Sequence, residues 1–317
     1  MTSRRRARVV TAAAALAGLV LFIYAIRRAG VTEILDGIAR VGWGLVLILA
    51  IGGARFAIRA QSWRLCVPDA DGSGRLTFRD AFVAFLAGDA VGSVTPLGLL
   101  ASEPTKVLLT RHQLATRESV SSLALENLIY ALSVIAMVAL GIVVLLATVT
   151  LPPGWTEGLS VALAAAAVAV ALVAWVMRHG LGEAAPRSAW RTKLSGLRQE
   201  LRAVATPTVA RILLLDLAYH ALAVFEVFIT LEWLLGDRSP TLAQAIVFEA
   251  LNRVVTVAFK FVPFRVGIDE ALTGALAPVL TLNPAAGVTL AVVRKVRGLF
   301  WAGIGLIFVA THPARSR

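Results

Sequence analysis

The sequence predicts an all-α fold, a polytopic integral membrane bundle with about six transmembrane crossings and two oppositely oriented re-entrant helical hairpins. Of 317 residues, 58% are hydrophobic and 16% charged, and the mean hydropathy is +0.79. In an ordinary soluble domain, about a quarter of the residues are charged. The apolar residues form blocks of roughly 18 to 30, and about 20 helical residues cross the hydrocarbon core. Helices are expected because they pair their own backbone groups in lipid.

The net charge of +12 comes mainly from basic residues that stand between the apolar blocks. This distribution follows the positive-inside rule of membrane proteins, so we expect no nucleic-acid partner. Cys66 is the only cysteine, which excludes an internal disulfide and any multi-cysteine metal site. Anionic lipid headgroups at the membrane surface are the expected partners of these basic residues.

The crossings follow one another along the chain with short or basic connections between them. The first begins after a cluster of arginines, and its apolar run of about 18 residues is longer than a cleaved signal segment, so it is predicted to stay. Residues 178–208 form the one long polar connection, which is rich in basic residues. This loop and both chain termini are therefore predicted to be cytoplasmic in a cell (inner or plasma) membrane. The predicted crossings are Val9–Ile26, Trp43–Gln61, Ser119–Thr148, Leu159–Val176, Ala210–Leu235 and Ala285–Ala310.

Two further apolar segments, residues 77–110 and 241–280, are interrupted halfway and do not fit as crossings. The interruptions read "GDAVGSVTP" and "KFVPFRVG". Half-helices of about 12 to 17 residues rise roughly 18 to 25 Å, enough to reach the middle of the bilayer and return. Each segment is therefore predicted to be a re-entrant hairpin.

The hairpins lie in two repeat units, residues 43–149 and 209–311, within a single membrane domain of residues 1–317. The basic residues place the first hairpin on the cytoplasmic side and the second on the exterior side. Opposed units of this kind are typical of inverted-repeat transporters. In each hairpin a proline is followed seven residues later by a glutamate, which suggests equivalent positions one above the other on a helix face.

The prolines at the two interruptions suit the first turn of a helix, where a missing N–H has no cost. Half-helices that start there would direct free N–H groups into the membrane interior, where they attract anions such as phosphate. Arg265, and in the first hairpin Lys106, would add positive charge. The competing interpretation is structural, because proline kinks are common in membrane helices.

Charged residues inside the apolar segments cost on the order of 3 kcal/mol or more unless they are paired or line a wet cavity. They cluster at the hairpins and at the crossings that follow them, and salt bridges within the bundle are the structural alternative. No catalytic, metal-binding or phosphate-loop motif is present, so we expect neither cofactor nor metal. The candidate substrate-binding or gating residues are Pro96, Glu103, Lys106, Glu126, Pro263, Arg265, Gly267, Asp269, Glu270 and Arg294.

Four further polar residues receive mainly structural interpretations. Arg55 and Arg59 are four apart on one face near the end of the second crossing. They are predicted to extend to phosphate headgroups at the surface. His220 and Glu226 could relay protons, but packing or interface roles are the favoured interpretation for both.

The chain resembles the flippase-like membrane region of lysylphosphatidylglycerol synthases and its stand-alone relatives. The resemblance lies in "RFAIRAQSWRL", "VTPLGLLASEPTKVLL", "LALENLIYAL", "VPFRVGIDEAL" and "LAVVRKVRGLFWAGIGL". The family pattern has Pro-Gly-Gly-x-Gly-x-x-Glu in the second hairpin, where this chain keeps Pro263, Gly267 and Glu270 but has Phe264 and Arg265 at the paired glycines.

The first hairpin and the crossing after it also depart from the family pattern. Pro96 and Glu103 match, whereas Ser102 stands where the family has glycine. The next crossing has Glu126 followed by Asn127 where the family often has Glu-Arg, so any arginine partner must come from elsewhere.

The resemblance implies translocation of a polar-headed lipid, such as an aminoacylated phospholipid, a polyprenyl-linked sugar or a hopanoid. It does not imply aminoacyl transfer, which in the family belongs to a separate soluble domain, and we expect no enzyme activity. Two alternatives stay open. One is a membrane-embedded transferase that modifies lipid, and the other is a non-transporting scaffold for a neighbouring lipid-modifying enzyme such as a membrane glycosyltransferase.

Overall fold

The computed structural model describes Tyr24, Arg27 and residues 31–67, 75–95, 98–179, 206–236 and 238–311. These residues form ten α-helices and one 3₁₀ turn and contain no strand, which confirms the all-helical prediction. The helices are α1 (Val31–Val41), α2 (Gly44–Cys66), α3 (Phe78–Val94), α4 (Gly98–Thr110), α5 (Thr116–Thr148), α6 (Pro153–His179), α7 (Thr206–Leu235), α8 (Leu242–Ala258), α9 (Ile268–Val279) and α10 (Pro284–Thr311).

Four of the described helices, α2, α5, α6 and α7, are long and apolar enough to cross a membrane. Helix α10 matches the last predicted crossing in position and length, but Arg294, Lys295 and Arg297 interrupt its apolar sequence. The predicted crossing Val9–Ile26 and most of the basic loop 178–208 lie outside the described residues. Helix α1 occupies a segment that the sequence analysis treated as part of a connection.

The first hairpin consists of α3 and α4, which pack against each other along their lengths. Thr77 caps α3 by accepting a hydrogen bond from the Asp80 N–H at 3.2 Å, as Ser and Thr caps commonly do. Gly98 opens α4 so close to α3 that an added Cβ would lie 2.2 Å from the Gly92 carbonyl oxygen. Pro96 lies outside the described residues.

The second hairpin is built differently from the sequence prediction. Thr241 and Gln244 cap α8 reciprocally, with N···O distances of 2.8 and 3.2 Å. Pro263 begins only a 3₁₀ turn, Pro263–Arg265, and α9 starts at Ile268. The prediction that Pro263 forms the first turn of the half-helix is therefore wrong, because positive φ angles after the proline break the helical path.

The two predicted repeat units contact each other in a reciprocal way. Helix α3 of the first hairpin packs on α10, and α8 of the second hairpin packs on α5, while α2 packs on α7. Two copies related by a pseudo-two-fold axis would produce this pattern. The inversion of the units, and the membrane side from which each hairpin enters, stay predictions.

Two apolar clusters hold these contacts together. One joins α2, α7, α8 and α10 through buried Ile48, Leu231, Phe248 and Leu290. The other lies beneath the first hairpin and includes Trp63, whose indole N–H donates to the Ser122 hydroxyl at 3.0 Å. On α2, Arg55 and Arg59 lie between Ile48 of the first cluster and Trp63 of the second, and they belong to a layer of charged side chains.

Two glycines on α10 test the contact between α3 and α10. A Cβ at Gly305 would lie 2.4 Å from the Leu86 carbonyl oxygen, whereas one at Gly303 has no atom within 4 Å. We expect Gly305→Ala to lower the melting temperature of the detergent-purified protein, with a stability loss of about 1–3 kcal/mol from overpacking.

Gly303→Ala is the matched control for this test. It should leave the melting temperature unchanged or raise it, because alanine favours helix over glycine. Equal effects of the two substitutions would contradict the close packing of α3 on α10.

Candidate functional site

A cavity of about 380 Å³ lies where both hairpins meet α2, α5, α7 and α10. Its wall is unusually rich in charge for a protein of this composition. The charged residues that line it are Arg55, Arg59, Asp89, Glu103, Lys106, Arg253, Lys260, Arg265, Asp269, Arg294, Lys295 and Arg297. Glycines also line it, and at Gly52, Gly92 and Gly98 an added Cβ would lie 2.8, 3.1 and 2.2 Å from a neighbouring atom, so the helices pack closely there.

Arg59 of α2 is one of the most enclosed cations of the wall. Its guanidinium donates to Glu126 Oε2 at 3.0 Å and approaches Glu126 Oε1 at 2.8 Å. The Arg59 Cζ atom also lies 3.5 Å from the centroid of the Tyr130 ring, a cation–π contact. Glu126, which is fully buried, therefore receives its arginine from α2 instead of from the next residue in its own helix.

Arg55, one turn earlier on α2, pairs with Glu226 of α7 at 3.3 Å. Arg297 of α10 binds the same carboxylate oxygen. Arg55 and Arg59 are only 7% and 8% exposed, so the prediction that they extend to surface headgroups is wrong. Buried carboxylates on neighbouring helices hold them inside the bundle. Glu226, expected to be a packing residue, is one of those partners.

Glu249 of α8 binds two further cations of the cavity wall. Arg253 donates to it from the next turn of α8, and Arg294 of α10 donates at 2.9 Å. Arg253 also donates to the hydroxyl groups of Tyr130 and Tyr219, at 3.0 and 3.3 Å. Helices α5, α7, α8 and α10 are thus joined through this one carboxylate and one guanidinium.

The first hairpin contributes Glu103 and Lys106, which pair at 2.8 Å within α4. Lys106 is also 4.1 Å from the centroid of Phe85 on α3. Asp89 of α3 is an exposed lining residue and makes no ion pair in the described part of the chain.

The second hairpin contributes Arg265 and Asp269, which pair at 3.1 Å. Glu270 is fully buried, accepts from the Gly267 N–H at 2.8 Å and pairs with Lys295 at 2.5 Å. It is the third residue of α9, whereas Glu103 is the sixth of α4. The two glutamates are therefore not at equivalent helix positions, although both follow a proline by seven residues.

The backbone between Pro263 and α9 is strained. Phe264 and Arg265 both have φ of 48°, and Gly267 has φ of 83°. Positive φ costs a residue with a side chain on the order of 1–2 kcal/mol. Glycine would relieve it, which gives a physical reason for the paired glycines that the family pattern has at these positions. With this backbone conformation, Phe264 and Arg265 both line the cavity.

Positive charge exceeds negative charge in this site. Nine basic and three acidic residues line the cavity. Four further carboxylates do not line it but form ion pairs with lining cations: Glu126, Glu226, Glu249 and Glu270. Lys260 is exposed and lies among them without an ion pair within the described residues. The described residues hold no cluster suited to a metal ion. The arrangement is suited to bind an anion inside the bundle.

The structure brings most of the sequence candidates together. Glu103, Lys106, Arg265, Asp269 and Arg294 line the cavity, and Glu126 and Glu270 bind lining cations from behind. The sequence analysis missed Tyr130 and Tyr219, for which a single tyrosine in an apolar helix gives no signal. The sequence shows only that Arg59 follows Arg55 by four residues and does not indicate its partner, Glu126.

Comparison with known proteins identifies a family but no individual relative. The family described as lysylphosphatidylglycerol synthase TM region matches residues 9–305. Neither the curated proteins nor the solved structures give a significant match to this chain.

The Arg59–Glu126 pair allows a test of how the charged layer is held. Glu126→Leu alone leaves a buried guanidinium without its partner, and we expect a stability loss of about 3–5 kcal/mol. In the double variant Arg59→Met/Glu126→Leu, most of this loss should disappear because no buried charge is left unpaired. Thermal unfolding in detergent measures the stability of the wild type, the single variant and the double variant.

The exposed pair Arg75–Glu118, at 2.9 Å, provides the comparison. Glu118→Gln should cost no more than about 1 kcal/mol, because solvent screens this pair. If Glu126→Leu were as mild as Glu118→Gln, Glu126 would not carry the buried charge described above.

Proposed function

This chain belongs to the lysylphosphatidylglycerol synthase membrane-region family, and we propose that it is a flippase that moves a lipid with a phosphate-bearing polar headgroup between the leaflets of the cell membrane. The observation that carries the proposal is the cavity between the two hairpins, with nine lining cations. Charged groups are costly inside a bilayer unless they serve a pathway or each other. In this cavity, carboxylates form ion pairs with most, but not all, of the cations.

Several features of the wall support binding of a phosphate group. Lys260 is unpaired among the described residues, and Arg265 pairs only with the partly exposed Asp269. Gly98, the first residue of α4, also lines the cavity, so the N-terminal N–H groups of that helix lie at its edge. Helix N-termini and arginines are the usual ligands of phosphate in proteins.

In the proposed mechanism the headgroup occupies the cavity while the acyl or prenyl chains stay in the surrounding lipid. The two hairpins, entering from opposite sides, would in turn close the cavity to one face of the membrane, as in other inverted-repeat transporters. The phosphate chemistry favours an aminoacylated phospholipid or a polyprenyl-linked sugar over a hopanoid. The basic loop 178–208 and the charge of the connections support a cytoplasmic location for both termini.

Transport is proposed in preference to group transfer. Of the three cavity-lining carboxylates, Glu103 and Asp269 pair with cations, and Asp89 alone has no ion pair among the described residues. Asp89 is thus the one lining carboxylate that could act as a general base, and the excess of lining cations is what favours transport. A neighbouring lipid-modifying enzyme would then supply the lipid, and this chain would move it.

The proposal predicts that cavity cations control transport. In vesicles that contain fluorescently labelled phosphatidylglycerol, we expect the wild-type protein to accelerate exchange between leaflets, measured by quenching the label in the outer leaflet. Lys260→Gln and Arg265→Gln should each lower the rate roughly 10- to 100-fold, because a hydrogen bond to a charged group contributes about 1.5–3 kcal/mol.

Arg238→Gln is the matched control, since Arg238 is exposed in the turn between α7 and α8, outside the cavity. A labelled uncharged glycolipid tests whether phosphate is needed. New lipid species in mass spectra of the vesicles would favour the transferase alternative. Equal exchange with wild type, both variants and empty vesicles would refute the flippase.

A further inference from the structure

Asp216 is a buried acid that the proposed site does not use. It lies ten residues into α7, about 15 Å along a helix that rises 1.5 Å per residue. Asp216 is 1% exposed, and its carboxylate makes no ion pair within the described residues. The other fully buried acids pair with arginine, as Glu126 and Glu249 do, or with lysine, as Glu270 does.

An ionised carboxylate in such a place would be far more costly than a neutral one. Transfer of an unpaired charge from water into an apolar medium costs many kcal/mol, and a buried acid avoids this cost by keeping its proton. Burial of Asp216 without a cation partner therefore favours the neutral, protonated acid over the carboxylate.

A polar connection links Asp216 to the wall of the cavity. His220 follows it by one turn of α7, and the Ser133 hydroxyl of α5 faces Asp216 and lies 3.1 Å from His220 Nε2. The His220 ring stacks on that of Tyr130, with centroids 6.1 Å apart, and Tyr130 lines the cavity. The Nδ1 atom of His220 is buried without a hydrogen-bond partner.

Charged and titratable groups face this connection from the packed helices. Helix α2 presents Arg59 and Cys66 to Asp216, and α5 presents Glu126. The groups that act on His220 are Arg55, Arg59, Glu249 and Arg253. The remaining neighbours of α7 direct their charges elsewhere, Arg40 of α1 to the Leu234 carbonyl and Arg297 of α10 to Glu226.

We propose that Asp216 is a proton-binding site that couples lipid transport to the proton gradient. Arg59 is the link, because it lines the cavity, is bound to Glu126 in this structure and is the cation that acts on Asp216. While Asp216 holds its proton, Arg59 stays with Glu126. When the O–H bond of Asp216 breaks, its proton passes by way of the Ser133 hydroxyl and the His220 ring to water in the cavity, and the new carboxylate attracts Arg59 away from Glu126. This movement changes the cavity wall where the headgroup binds.

The coupling part of this inference rests on the proposed flippase function, whereas the proton site can be tested alone. Infrared spectra of the purified protein at neutral pH should contain the carbonyl band of a protonated carboxylic acid, and Asp216→Asn should remove it. Asparagine has nearly the shape of the neutral acid, so this variant should fold. Glu157→Gln, which removes an exposed carboxyl on α6, should leave the band unchanged. If the band persisted in Asp216→Asn, the proton site would be disproved.

Transport then tests the coupling. In vesicles with labelled phosphatidylglycerol, a pH difference of one unit should change the final ratio of lipid between leaflets up to about tenfold for the wild type, if one proton moves with each lipid. Asp216→Asn should still exchange lipid but reach the same ratio with or without the gradient. A ratio that ignores the gradient in the wild type, or follows it equally in Asp216→Asn, overturns the coupling. Absence of any wild-type exchange counts against the flippase instead, and the infrared band still decides the proton site.

Discussion

The fold depends on one constraint, that arginines and carboxylates inside a bilayer must form ion pairs with each other. Glu226, Glu126 and Glu249 each neutralise an arginine from another helix. These contacts join α2 to α7, α2 to α5, and α8 to α10, so they cross between the two repeat units as well as within one. Because an unpaired charge costs far more in lipid than a missing apolar contact, the pairs restrict which helices can be neighbours.

The same constraint explains why the cavity exists. Apolar side chains fill the two clusters around Phe248 and Trp63, but guanidinium groups cannot pack into either. They line the cavity instead, together with glycines such as Gly52 and Gly92. Since the cations outnumber the carboxylates that reach them, the space retains a positive field. The cavity is suited to bind an anion because the carboxylates neutralise most, but not all, of its cations.

Much of the helical plan was predictable, because apolar blocks of fixed length reflect the thickness of the bilayer. The breaks in both hairpins were also predictable from glycine and proline. The ion pairs between helices were not predictable from the sequence. Whether Arg59 reaches the surface or Glu126 depends on how α2 crosses α5, and no spacing within α2 contains that information. The start of α9 at Ile268 was missed for a related reason, since the positive φ of Phe264 and Arg265 is imposed by packing and opposed by their own local preferences.

Asp216 is the exception to this pairing, because it is a buried acid without a cation partner. An acid that lacks a cation partner can remain buried only as the neutral acid, so its ionisation must be linked to a rearrangement that brings a cation to it. Arg59 is the cation that acts on it, and this guanidinium already contacts both Glu126 and the cavity. A change of protonation at Asp216 therefore cannot stay local. It must alter the partner of Arg59, and with it the charge that a headgroup in the cavity would meet.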